Sequence, residues 1–202
     1  MTDPSTDLFG IQRSIAVEPS DTGLRLLVAS RASYPATAAE LWLSLTDAEQ
    51  LSRWFLPVTG DLNVGGEFQA EGNASGRVLR CEPAELFVVT WGDESSIVEV
   101  RIGVDAAGDS AVELKHSVPL SLAGNGTGAF YVGPGWDFAL VALRAFHEGT
   151  PPIGLNTPQE QAFNRQSLLA WALIVESSGT ATPEEVAVGI TETLPQWAPD
   201  LV

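Results

Sequence analysis

Residues able to do chemistry are few in this chain, which holds two histidines and one cysteine. His116 lies in VELKHSV, where strict alternation puts it on the same side as Val112, Leu114 and Val118. A histidine among aliphatic neighbours can bind a ligand carbonyl or carry a proton. The plainer reading is a hydrogen-bonded histidine near a strand end, because one histidine alone fixes no reaction. His147 ends a helical stretch, where a positive charge suits the helix dipole, and reads as structural. No histidine pair at helical spacing and no cysteine cluster is present, so neither a metal nor a cofactor is expected. Ser44, Ser52, Ser117 and Ser121 lack a nucleophile-elbow motif around them. Cys81 follows Arg80 on a strand-like stretch. Strand neighbours point to opposite faces, so Arg80 need not activate the thiol, and Cys81 reads as a small buried side chain. GNGTG at 124–128 lacks the lysine and the strand-loop-helix setting of a phosphate loop, and reads as a flexible rim. No catalytic residue is assigned.

Large apolar area is the richer resource. Trp54, Phe55, Phe68, Trp91, Trp136 and Phe138 could each be plain core, and together could line a cavity for a flat or greasy ligand. Arg80 could add one positive charge for an acidic ligand.

Composition narrows the partners. The 202 residues carry a net charge of −16, from 10 basic and 26 acidic side chains. Such a chain repels phosphate backbones and anionic lipid, so no nucleic acid is expected as a partner. No apolar run reaches the roughly 18 residues of a membrane span, so no membrane insertion is expected. The start, MTDPSTDLFG, lacks a basic-then-apolar signal pattern. These features lead us to expect a cytoplasmic protein.

The elements that must position these residues follow from periodicity. The first ten residues are expected to be loosely attached. IQRSIAV and LRLLVASRASY predict two strands joined by a turn. Two short helices follow, each opened by a capping box, Thr37 to Glu40 and Thr46 to Glu49. From 65 to 118 the period becomes two, predicting five strands in an antiparallel meander, because the later links are short. The stretch 119–133 predicts a long glycine-rich connection. A helix from about Pro134 to Phe146, apolar nearly all round, needs cover on both sides. The tail supplies two more helices, the second opened by Thr182-Pro183-Glu184-Glu185. A second copy of the chain, in a homodimer, is the alternative cover for the tail's apolar stripe.

This order of elements resembles the helix-grip fold of the SRPBCC superfamily, related to START lipid-transfer and birch-pollen-allergen domains. The segments LWLSLTDAEQLSRWF, GDLNVGGEF, GRVLRCEPAELFVVTW, VELKHS and GWDFALVAL are similar to the branch named after the activator of heat-shock protein 90 ATPase. SLLAW and GTATPEEV resemble a C-terminal extension of a bacterial subgroup. The resemblance implies an α+β fold, a curved antiparallel sheet gripping a long helix with a cavity between them. The expected organisation is a flexible 1–10, a helix-grip domain at 11–149 and a helical extension at 150–202 packed on it. The six aromatics, Arg80 and His116 then become the expected ligand-binding residues. The leading expectation is non-catalytic binding of a small hydrophobic or amphipathic molecule. The alternatives are a protein-interaction module with a chaperone partner and a polyketide-cyclase-like enzyme using His116 as general acid or base. Eukaryotic co-chaperone members carry an additional N-terminal domain, and only about ten residues precede the first expected strand here, which argues against chaperone activation.

Overall fold

Strands β1 (Ile11–Ser20) and β2 (Gly23–Tyr34) open the fold, as the alternation predicts. Helix α1 (Ala38–Thr46) starts at Thr37, whose side chain accepts from the Glu40 amide while Glu40 reaches back to Thr37. Helix α2 (Ala48–Trp54) departs from expectation at its cap. Asp47, not Thr46, accepts from the Gln50 amide, at 2.9 Å. The reason is local: α1 runs through Thr46, so its hydroxyl donates to the Trp42 carbonyl one turn back, at 2.7 Å.

Six further strands follow: β3 (Val58–Gly60), β4 (Glu67–Ala70), β5 (Ser75–Glu82), β6 (Leu86–Trp91), β7 (Asp93–Val104) and β8 (Ser110–Pro119). The three-residue β3 is too short to show a period, and only its pairing of Val58 with Ala70 reveals it. Hydrogen bonding gives one sheet in the order β1-β2-β8-β7-β6-β5-β4-β3. Pairing from β3 to β7 is antiparallel, with register shifts at Val78/Arg80 and Thr90/Trp91.

The stretch after β8 is not a flexible rim. It forms helix α3 (Leu120–Ala123) and a 3-10 turn at Gly126–Tyr131, burying Gly126, Ala129 and Phe130. Asn125 stabilises the turn by accepting from the Thr127 amide at 2.8 Å. Glycine content signalled close approach here, not mobility. Helices α4 (Gly133–Glu148), α5 (Pro158–Ser178) and α6 (Pro183–Trp197) complete the chain. Thr157 and Thr182 cap the last two, and Gly179 ends α5 in the left-handed region at φ 68°.

The computed structural model describes residues 10–201, so the expectation for the first ten residues lies, but for Gly10, outside the described residues. Contacts divide the chain into two units. The first takes residues up to Ser30, Ser117–Val141 and Ile153 onward; the second takes Arg31–His116 and Ala142–Pro152. The core of the first unit gathers Leu26, Val28, Phe130, Leu168, Trp171, Val175 and Val186. In the second, Val98 and Val100 are buried, but Val104 on the same alternation ends exposed. Among the described residues, no helix is long and apolar enough to cross a membrane.

Candidate functional site

Four of the expected ligand residues meet in the second unit. Phe55, the cap of α2, has its ring 5.5 Å from Trp54 and 6.3 Å from Trp91. Trp91, at the end of β6, stands 6.0 Å from Phe68 of β4. All three pairs are tilted, with ring planes 38°, 42° and 39° apart. Local sequence makes this row possible. The Trp54 indole N–H donates to the Ser44 carbonyl at 2.9 Å, tying the end of α2 back onto α1. Gly76 lies opposite Phe68, and a Cβ there would sit 2.6 Å from that ring and 2.0 Å from the Thr90 carbonyl. Phe68 is buried, whereas Trp54, Phe55 and Trp91 are half-buried. The row therefore presents ring surface that water reaches, carried on a rigid base.

His116 is buried, as alternation predicts, with Nε2 2.7 Å from the Ser96 hydroxyl. Ser96 belongs to the part of β7 facing the register shift at Thr90/Trp91. The histidine is thus a buried polar group with a hydrogen-bond partner. Arg80 does not join these groups: it is exposed, and its Nε donates to Glu82 at 2.8 Å. Cys81 is half-buried rather than buried.

His147 departs from the expected cation. Its Nε2 lies 3.2 Å from the Ser44 hydroxyl, and its ring meets Tyr34 edge-on at 6.4 Å. Burial holds its pKa below the ordinary 6.5, with Glu40 opposing. Dipole attraction at a helix end is outweighed by the lost hydration of the charged ring. Burial also drives the Tyr34 hydroxyl far above its usual range, opposed by Arg144.

The remaining two expected residues lie in the first unit. Trp136 is buried, and Phe138 is half-buried with its ring edge-on to Phe163 at 5.6 Å. Between them in sequence sits a residue the sequence reading passed over. Asp137 is fully buried. It accepts from Arg13 Nε at 2.8 Å, Ser30 Oγ at 3.0 Å, Trp171 Nε1 at 3.1 Å and the Ser167 hydroxyl. Burial pushes its carboxyl up, and Arg13 and the hydroxyls pull it down. The available signal was a carboxylate in the apolar run GWDFALVAL together with an arginine at an inward position of IQRSIAV. The same unit has a cleft of about 310 Å³ beside α6, lined by Asn125, Thr127 and three glutamates, 184, 185 and 192. That lining is acidic, unlike the aromatic surface above.

The topology, the paired α1 and α2 after the first strands and the long α4 define an α+β helix-grip protein. Residues 35–148 match the family model described as Activator of Hsp90 ATPase homolog 1-like protein, and the chain belongs to that family. The crystal structure of CalU16 from Micromonospora echinospora is 31% identical, with 82% of this chain and 98% of that one covered at a TM-score of 0.69. Its solution structure gives 30% identity, 83% and 96% coverage and the same TM-score of 0.69. EF2215 from Enterococcus faecalis, a conserved protein of unknown function, shares the fold at 16% identity, with 85% and 95% covered and a TM-score of 0.59. No curated protein matches the chain.

Proposed function

We propose that this protein binds a small, flat hydrophobic or amphipathic molecule without transforming it, and that Trp54, Phe55, Trp91 and Phe68 are its seat. The observation that carries the reading is the row of touching rings of which three remain half-buried. A self-sufficient core would bury such rings; a seat for a planar guest keeps their faces within reach. His116, buried and hydrogen-bonded to the Ser96 hydroxyl, is held as a fixed polar group. The family match and the CalU16 likeness are consistent with this reading.

Native mass spectrometry of the protein as purified, and melting shifts across lipids and aromatic acids, test it. The expected result is an added small-molecule mass or a shift of several degrees. Both are expected to weaken in Trp91→Ala and to persist in Arg80→Ala. A clean apo mass together with no shift across the panel would sink the reading.

A further inference from the structure

The strands that carry the aromatic row sort their charges onto the opposite face. Val98 and Val100 of β7 and Leu114 and His116 of β8 are buried, while the charged residues that alternate with them are not. The charged side pairs with itself: Arg101 with Glu99 at 2.7 Å, Lys115 with Glu113 at 3.2 Å and Arg77 with Glu67 at 2.7 Å. The register shift at Val78/Arg80 sets Arg80 opposite Val88 and Cys81 opposite Phe87. That keeps the Arg80 guanidinium off the side that Phe87, Val89 and Trp91 share by alternation. No arginine or lysine of β4 to β8 therefore lies on the face of the row. Asp93, which pairs with Trp91, is an exposed carboxylate and repels an anion there.

One hydroxyl does share that face. Strands β6 and β7 pair regularly from Leu86 with Arg101 to Thr90 with Ile97, and the next step would set Trp91 opposite Ser96. The ladder shifts instead, Trp91 pairs with Asp93, and residues 94–96 take up the slack as a bulge. Bulges of this kind re-aim side chains beside functional sites. Ser96, two residues before Val98, keeps to the buried face and is 8% exposed. Its hydroxyl meets His116 Nε2 at 2.7 Å. A hydroxyl has one proton to give and two lone pairs that receive, so this contact leaves Ser96 able to make a second bond. With Nε2 bare, Ser96 donates to it and can still accept. With Nε2 protonated, Ser96 accepts from it and can still donate.

We propose that Ser96 is the specificity-determining residue of the seat, and that the guest is an uncharged ring system carrying a hydroxyl group. The guest hydroxyl bonds to Ser96 while its rings lie against Trp91. This rests on the aromatic row being the seat. A guest hydroxyl both gives and takes, so it suits either position of the histidine proton. A carboxylate guest loses its hydration on a face that returns no counter-charge.

Equilibrium dialysis of the full chain against naphthalene, 2-naphthol and 2-naphthoate at neutral pH is the test, because the three share one ring system. Binding of 2-naphthol roughly fivefold tighter than naphthalene is expected, the worth of one net hydrogen bond, with 2-naphthoate held most weakly. Ser96→Ala brings 2-naphthol down to the level of naphthalene and leaves naphthalene unchanged. Ser96→Thr, which keeps the hydroxyl, retains the preference, and Trp91→Ala weakens all three together. The ranking in the unaltered chain decides the matter even should Ser96→Ala fold poorly. A preference for 2-naphthol that survives Ser96→Ala, or 2-naphthoate held as tightly as 2-naphthol, overturns the inference and leaves the seat standing. Failure of the unaltered chain to hold any of the three takes the seat down with it.

Discussion

At the scale of single residues, Asp137 is the most consequential side chain outside the aromatic row. Its carboxylate collects four donors from β1, β2 and α5, so removing the charge leaves the buried Arg13 guanidinium without its counter-charge. Asp137→Asn is expected to cost about 3–5 kcal/mol in urea denaturation. Pairing Arg13→Met with Asp137→Leu should recover much of that, since the cost lies in a buried charge left without its counter-charge. His147 makes a prediction about pH. Its folded pKa lies below the ordinary 6.5, so folded and unfolded chains are both neutral there above that value. Below it the unfolded chain takes up a proton that the folded one resists, and stability falls as pH drops from about 6.5 through the folded pKa. His147→Gln should flatten that part of the curve. The exposed carboxylates Asp61 and Asp93 and the half-buried Asp105, held low by hydrogen bonds to nearby residues, act in a separate window below about pH 4.

Secondary elements show which physical signals a sequence carries openly. The meander was legible because β5 to β8 are long enough to display a period of two, and the capping boxes at Thr37 and Thr182 were legible because the interaction is local. The three-residue β3 and the cap shift to Asp47 were not, because one rests on pairing with β4 and the other on where α1 stops. The turn at Gly126–Tyr131 escapes the sequence for a related reason: its glycines answer to Thr180 and Leu26, distant in sequence. In the aromatic row, Trp54 and Phe55 announced themselves by clustering, while their meeting with Trp91 and Phe68 depends on strand register. Gly76 ties register to site. Gly76→Ala places a methyl group against the Phe68 ring and the Thr90 carbonyl. A melting temperature lower by several degrees is expected, with loss of the near-ultraviolet circular dichroism of the row, consistent with overpacking costs of about 1–3 kcal/mol. Gly23→Ala, which meets no neighbouring atom but takes up a left-handed backbone, should lower the melting point and leave the row's signal intact.

For the whole molecule, the C-terminal helices are part of the first unit's core rather than a detachable tail. Leu168, Trp171 and Val175 of α5 and Val186 of α6 pack with Leu26, Val28 and Phe130. A chain ending at residue 150 loses those partners and two of the four donors to Asp137. Light scattering is expected to show association, and circular dichroism a loss of cooperative melting; a monomeric chain that melts sharply would refute this account. The six tryptophans also divide evenly: Trp42, Trp54 and Trp91 belong to the second unit, and Trp136, Trp171 and Trp197 to the first. Replacing either trio with phenylalanine leaves an emission spectrum belonging to one unit alone. If the two edited proteins lose their fluorescence at one common denaturant concentration, the chain folds as a single cooperative piece. Two separated midpoints would mean that one polypeptide houses two stabilities, and the colour of its light would say which half had gone first.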